Sequence, residues 1–167
     1  MTNPKSTEFY LVRLMMIGSS LIIAFFGIGL IANIYRANLT EKLSASAREM
    51  EASFRTQIAS ETDAYQAARM GTIFLKTQKD DLALAAFQKA TSLDPNFRDG
   101  WVWLGYTELK LNQPEEALKS LKKAEELDPI NARTYELLAI AYKQNSDEDS
   151  AKKAEEKFEY LSKTNKQ

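Results

Sequence analysis

The chain repeats itself most clearly around residues 98–131, which read RDGWVWLGYTELKLNQPEEALKSLKKAEELDPIN. Shifting the sequence by 34 residues aligns this segment with the one before it. The aligned pairs are Gly71 with Gly105, Ala83 with Ala117, Ala90 with Ala124, and Leu93-Asp94-Pro95 with Leu127-Asp128-Pro129. A fixed period of this kind indicates a repeat architecture, in which each unit buries its apolar face on the next. The chain after residue 63 is therefore predicted to be a stack of like units.

A looser third copy follows the second at the same offset. Its matched pairs are Leu104 with Leu138, Gly105 with Ala139, Ala117 with Ala151, and Leu127 with Leu161. The predicted units are 64–97, 98–131 and 132–165. The last helix of the third unit carries many charges around a narrow apolar stripe, as a terminal unit facing solvent requires. The third unit is therefore expected to cap the array.

Capping and turn residues mark the predicted helix ends. Asp94-Pro95-Asn96 and Asp128-Pro129 are expected to end the second helices of the first two units. The segment Asn112-Gln113-Pro114-Glu115-Glu116 places proline and acidic residues in a first helical turn, where the helix dipole favours negative charge. Ser146, with Asp149 three residues later, predicts a capping box for the last helix.

The repeat resembles the tetratricopeptide repeat, a 34-residue pair of antiparallel helices. In the second unit, Trp101, Leu104 and Gly105 match the family's W-x2-L-G signature. Later family positions of that unit are held by Ala117, Leu121, Ala124 and Pro129. The first unit departs with Ala67 at the tryptophan position, and the third departs with Glu155 at a usually apolar position. The resemblance implies an all-α solenoid of three helix-turn-helix repeats.

The resemblance also implies that the first helices of the units line a concave binding groove. The side chains expected there are Tyr65, Ala68, Thr72 and Leu75, then Asp99, Val102, Tyr106 and Leu109, then Arg133, Glu136, Ile140 and Lys143. Family members that hold the carboxylate end of a chaperone tail use lysine and asparagine at such places in the first unit and basic residues in the third. Ala68, Thr72 and Trp103 stand at three of these five places and only Arg133 is basic in the right position, so no carboxylate clamp is expected. The predicted groove has an apolar, aromatic centre and charged ends.

The two tryptophans are assigned different roles. Trp101 falls on the family's core position and is expected to pack in the interior. Trp103 lies away from the consensus core positions, and tryptophan is enriched among binding hot spots. Trp103 is therefore either an interface anchor, flanked by Val102 and Tyr106, or a side chain packed on a neighbouring helix or on the 36–63 segment.

The N-terminal part of the chain differs from the repeats. After a short tail at 1–13, residues 14–35 read LMMIGSSLIIAFFGIGLIANIY and carry no charge. A helix of this length covers about 33 Å, which is enough to cross a hydrocarbon core of about 30 Å. The run is predicted to be an uncleaved transmembrane helix in the lipid bilayer. An N-terminal anchor of this kind is expected to leave the repeats outside the cytoplasm.

Residues 36–63 are predicted to form an amphipathic helical linker. Its apolar residues recur at helical spacing and are Leu39, Leu43, Met50, Phe54 and Ile58. This linker stripe is expected to be buried either on the first repeat or, as a short coiled coil, on a second copy of the chain. The predicted fold is all-α, with the transmembrane helix and this connecting helix followed by three repeats at 64–165.

The composition argues against an enzymatic function and against a zinc site. The 167 residues include neither cysteine nor histidine, which removes the commonest nucleophile–base pairs and most zinc ligands. The net charge of -1 offers no positive excess for a nucleic-acid partner. No catalytic residue, metal ion, cofactor or nucleic-acid partner is expected, and the chain is not expected to be an enzyme.

The expected function is that of a membrane-anchored adaptor. Its repeats would bind a segment of a partner protein in the groove, in the assembly of a membrane or envelope complex. The alternative is a structural self-assembly module, a homo-oligomer in which the transmembrane and linker helices associate and the repeats act as spacers.

Overall fold

The computed structural model describes the backbone of residues 4–164 and the side chains of residues 30–164. Throughout the described backbone the regular structure is helical. The seven helices of this range are α1 (Pro4–Ser60), α2 (Ala64–Lys76), α3 (Asp80–Leu93), α4 (Arg98–Lys110), α5 (Pro114–Leu127), α6 (Ala132–Gln144) and α7 (Glu148–Thr164). The predicted all-α repeat fold is confirmed, since α2–α3, α4–α5 and α6–α7 form one helix pair for each predicted unit.

The chain divides into two compact units, Met1–Met50 and Glu51–Gln167. The first unit contains most of α1. Within the described residues, no helix is long and apolar enough to cross a membrane. Most of the predicted span 14–35 lies outside the described side chains, so the transmembrane helix stays a prediction. The large apolar side chains described in this unit are exposed, and they are Leu30, Ile31, Ile34, Tyr35, Leu39, Leu43 and Met50.

In the second unit, the last turns of α1 pack on the first helix pair. Ile58 is buried, and the Phe54 ring meets the Phe74 ring edge-on with 5.3 Å between centroids. The Lys79 ammonium lies 4.6 Å from the centre of the Phe54 ring. The linker stripe is therefore divided. Its end is buried on the first repeat, as one of the two interpretations predicts, whereas its earlier residues are exposed.

The two helices of the first and second pairs cross at a glycine. A Cβ atom at Gly71 would lie 2.7 Å from the Phe87 ring, and one at Gly105 would lie 2.6 Å from Cγ of Leu121. Phe87 and Leu121 are both fully buried. Only a hydrogen atom fits between the helices at these places, which explains the glycine in the first two repeats.

Trp101 joins the two apolar clusters of the core, because it packs against both. Its indole Nε1 donates a hydrogen bond of 2.9 Å to the carbonyl of Pro95. Tyr135 stands at the same place in the next repeat, and its hydroxyl donates a hydrogen bond of 3.0 Å to the carbonyl of Pro129. Burial is the main cause that raises the pKa of Tyr135 to about 12. An aromatic donor at this place ties the first helix of a unit to the preceding turn.

The turn inside each pair has the same backbone in all three repeats. Gln78, Asn112 and Ser146 have positive φ angles of 57°, 57° and 60°. The next amide donates to a carbonyl five residues earlier, as Lys79 N does to Phe74 O at 2.9 Å. This is the Schellman arrangement, which most often has glycine at the left-handed position.

The predicted capping box of Ser146 and Asp149 is wrong. Ser146 takes the left-handed conformation that ends α6, so it does not start α7. The residue before α7 is Asp147, whose Oδ1 accepts a hydrogen bond of 3.1 Å from the Ser150 amide. Hydrogen bonding by the Ser150 side chain, together with this bond from its amide, lowers the pKa of the Asp147 carboxyl group. The N-cap therefore lies one residue later than the sequence suggests.

Candidate protein-binding groove

The predicted groove residues lie on α2, α4 and α6, the first helices of the pairs, and α4 contacts both of the others. They differ in exposure. The exposed ones are Tyr65, Asp99, Trp103, Arg133, Ile140 and Lys143, the half-buried ones are Thr72, Leu75, Tyr106 and Glu136, and the buried ones are Ala68, Val102 and Leu109. Val102 and Leu109 thus belong mainly to the core and present little surface to a partner.

Trp103 is both packed and exposed. Its ring stacks on Phe87 with 6.2 Å between centroids and 10° between planes. It meets Tyr106 edge-on, with 5.8 Å between centroids. Both are favourable geometries for aromatic pairs. One side of Trp103 packs on α3, as the second interpretation predicts, and because 39% of the residue remains exposed, its role as an interface anchor stays a prediction.

A cavity of about 180 Å³ opens beside Trp103, between α4 and α6. Five predicted groove residues line it, namely Asp99, Val102, Trp103, Tyr106 and Arg133. Sequence reasoning missed Arg98, Asn131 and Leu137, which also line it. Arg98 is the neighbour of Asp99 in the chain, whereas nothing in the repeat pattern singles out the other two. The second and third repeats therefore share one site, to which the first repeat contributes the ring beneath Trp103.

The charges of this cavity are paired but exposed. Arg98 lies 3.1 Å from Asp99 and 3.8 Å from Asp128. Arg133 lies 2.7 Å from Glu136, with its guanidinium 5.8 Å from the centre of the Tyr106 ring. Exposed pairs of this kind contribute about 0–1 kcal/mol, so a charged partner can replace them at little cost.

The ends of the predicted groove lie apart from the cavity. On α2, the residues Tyr65, Thr72 and Leu75 do not line it. On α6, Lys143 pairs with Glu155 of α7 instead, and this hydrogen bond raises the pKa of the Lys143 amine. The structure thus concentrates the candidate site around Trp103.

In the described part of the chain, no three acidic, histidine or cysteine side chains come together in a group that could hold a metal ion. The groove offers an aromatic anchor, an adjoining cavity and exchangeable ion pairs. These features suit non-covalent recognition of a polypeptide.

Two segments of the repeats match family models. Residues 67–97 match the model described as tetratricopeptide repeat, and residues 105–146 match the model described as TPR repeat. Both segments are similar to the tetratricopeptide repeat. The resemblance stated from the sequence is thereby supported for residues 67–97 and 105–146. No curated protein sequence matches it.

Solved structures share the fold of these repeats. "Crystal structure of MamA" has 21% identity and a TM-score of 0.59, over 62% of this chain and 61% of that chain. The Arabidopsis OM64 TPR domain has 16% identity and a TM-score of 0.58, over 59% and 81%. The first TPR of Spaghetti (RPAP3), bound to HSP90 peptide SRMEEVD, has 20% identity and a TM-score of 0.58, over 59% and 78%. Identities of this size show the fold alone, and the match spans less than two thirds of the MamA chain.

Proposed function

We propose that this chain is a non-enzymatic, membrane-anchored adaptor that binds a segment of a partner protein beside Trp103. The observation that carries the proposal is the exposure of Trp103 at the edge of a cavity. A tryptophan held by a stacked ring and an edge-on ring loses little side-chain freedom on binding, which favours its use as an anchor.

The partner segment is proposed to carry an apolar or aromatic side chain together with charge of either sign. The Spaghetti domain is bound to the HSP90 peptide SRMEEVD, which is rich in acidic residues. Here both arginines of the cavity are matched by acidic neighbours, and Ala68 and Thr72 stand where a carboxylate clamp uses lysine or asparagine. Recognition through Trp103 therefore fits this groove better than recognition of an acidic chain end.

We expect Trp103→Ala to weaken capture of the partner by at least about tenfold, because a hot-spot tryptophan contributes 2 kcal/mol or more. The measurement is crosslinking and affinity capture of the full-length chain from membranes, with the recovered proteins quantified against the unchanged chain. Tyr160→Ala on α7 removes an aromatic side chain that is more exposed than Trp103, at 64% against 39%, but distant in the repeat pattern, and it serves as the control.

An unaltered set of partners in a folded Trp103→Ala variant would contradict the groove proposal. The same experiment tests the second candidate function, self-assembly through α1, which the exposure of Leu39, Leu43 and Met50 favours. If that function is the main one, replacing Leu39 and Leu43 with asparagine changes what is captured, whereas Trp103→Ala does not.

Anchoring in the membrane is part of the proposal and rests on the uncharged run 14–35 inside the continuous helix α1. We expect the full-length chain to stay in the membrane fraction after alkaline carbonate extraction. A variant with two arginines in place of Ile22 and Ile23 should be released, because each charge at the centre of a span costs about 3 kcal/mol.

We expect protease added outside the cytoplasm to cleave the repeats. Protection of the repeats would reverse the proposed orientation.

A further inference from the structure

The face of α4 opposite the groove carries a buried carboxyl group. Glu108 is only 5% exposed, and its Oε2 atom is buried without a hydrogen-bond partner among the described residues. Leaving a charged oxygen in this state is costly, because burial removes the water that would otherwise solvate it. A polar atom of this kind calls for a partner that the described residues do not supply.

The repeat framework does not require a glutamate at this place. The residues 34 positions before and after Glu108 are Phe74 and Tyr142. Ser120, a neighbour of Glu108 on α5, corresponds in the same way to Ala86 and Ala154. The second repeat thus has a polar pair where its two neighbours have an aromatic residue facing alanine. Glu108 is therefore a departure from the packing plan of the repeats.

Glu108 lines a cavity of about 350 Å³ formed by α3, α4 and α5. Gln88, Thr91 and Ser92 of α3 contribute no charge. The charged residues that α5 adds are Glu116 and Lys119, and α4 adds the indole of Trp101. Two carboxyl groups face one ammonium group, and an aromatic ring is a favourable neighbour for a cation. The cavity thus has a mostly apolar wall and an excess of one acidic side chain among its lining residues.

The corresponding cavity between the second and third repeats is different. It measures about 180 Å³ and has Tyr142 and Ala154 at the places of Glu108 and Ser120. The Lys122 ammonium already lies 5.8 Å from the centre of the Tyr142 ring. The larger, acidic cavity is therefore specific to the junction of the first and second repeats.

We propose that this cavity binds a lysine or arginine side chain of a protein partner, with Glu108 as its counter-ion. The incoming cation supplies the donor that Oε2 lacks. The site lies on the face of α4 that carries Trp101, Leu104 and Glu108, so it shares no lining residue with the cavity beside Trp103. It adds a second point of contact, independent of the groove.

The test measures the pKa of Glu108 by NMR, through the signal of its carboxyl carbon. The sample is the full-length chain in detergent micelles, with its glutamate residues isotope-labelled. The probes are N-acetyl-lysine amide and N-acetyl-arginine amide, and the neutral control is N-acetyl-norleucine amide. We expect the cationic probes to lower the pKa of Glu108 by about one unit, which is a tenfold increase in its acid dissociation constant. We also expect them to shift the indole signal of Trp101. Norleucine should do neither.

Two variants decide the role of Glu108. Glu108→Gln should weaken probe binding by at least about tenfold, whereas Glu116→Gln at the rim should weaken it less. Equal effects of norleucine and lysine, equal losses in the two variants, or no response to either cationic probe would overturn the proposal.

Stronger binding of putrescine than of both amino-acid probes would assign the cavity to free amines and would overturn the proposal that a protein partner occupies it. Trp103→Ala should leave the result unchanged, which separates this test from that of the groove.

Discussion

We expect Phe87→Ala to lower the free energy of unfolding of the repeats by about 3–5 kcal/mol, the range for truncating a buried phenylalanine. Phe87 is 0% exposed and fills the space opposite Gly71. It also supports the ring of Trp103 from below. Because a repeat array gains its stability from contacts between neighbours, a cavity in the first pair should also weaken the second. Urea unfolding followed by tryptophan fluorescence measures this loss, since both tryptophans lie in the second repeat and none lies in α1.

Two further variants establish the cause. Phe87→Leu keeps most of the apolar volume and should lose only about 1.5 kcal/mol or less. Tyr160→Ala removes a ring that is 64% exposed and should change the free energy of unfolding by no more than about 0.5 kcal/mol. A loss below about 1 kcal/mol for Phe87→Ala would mean that the packing against Gly71 is not a main source of stability. Phe87→Ala should also reduce partner capture, because Trp103 loses the ring on which it stacks.

The helix pairs could be predicted because the residues that set helix crossings and helix ends recur at the 34-residue period. Small residues at Gly71 and Gly105 and the Asp-Pro pairs at 94–95 and 128–129 recur at one offset. The observed α3 and α5 end at Leu93 and Leu127, immediately before those pairs. Proline restricts the residue before it and cannot continue a helix, so the chemistry of the pair sets the boundary.

The turns inside the pairs could not be predicted in the same way. The left-handed residues Gln78, Asn112 and Ser146 are not glycines, so no sequence signal marks the Schellman motif. Serine followed by an acidic residue matches a capping pattern equally well, which led to the wrong cap at Ser146. The hydrogen bond from Asp147 N to Tyr142 O decides between the two, and it exists only once both helices are in place.

The sequence predicts which helix faces form the candidate groove, but not which residues on those faces are exposed. Repeat position places Val102 and Leu109 on the groove side of α4, yet both are 92% buried by neighbouring helices, as their 8% exposure shows. Glu108 was missed altogether, because a glutamate on an amphipathic helix is ordinarily solvated. The available signal was internal: Phe74 and Tyr142 occupy the same place in the other repeats.

The linker stripe shows a further limit of sequence reasoning. Its five apolar residues follow one helical pattern, yet Phe54 and Ile58 pack on the repeats while Leu39, Leu43 and Met50 are exposed. Periodicity identifies the face of a helix but does not say where its contacts end. That end depends on how far the first repeat extends along α1.

Glu108 provides the second large expected effect, on the pH dependence of stability. Burial raises the pKa of its carboxyl group from an ordinary 4.5 to about 7, against the lowering effects of Ser120 and Lys119; Glu116 raises it further. The unfolded chain therefore loses this proton near pH 4.5, but the folded chain holds it until about pH 7. Because the folded state binds more protons in this window, its stability falls as the pH rises from about 4.5 to about 7.

Glu108→Gln removes this effect while nearly preserving the size of the side chain. At about 1.4 kcal/mol for each pKa unit, the difference between 4.5 and about 7 corresponds to about 3 kcal/mol. The stability of Glu108→Gln relative to the unchanged chain should therefore increase by about 3 kcal/mol between pH 4.5 and pH 8, as measured by urea unfolding at each pH. Glu156→Gln, at an exposed glutamate of α7, should show a difference that stays flat within about 0.5 kcal/mol. A flat difference for Glu108→Gln as well would show that the buried carboxyl group ionises normally, since only a pKa that differs between the folded and unfolded chains can make stability depend on pH.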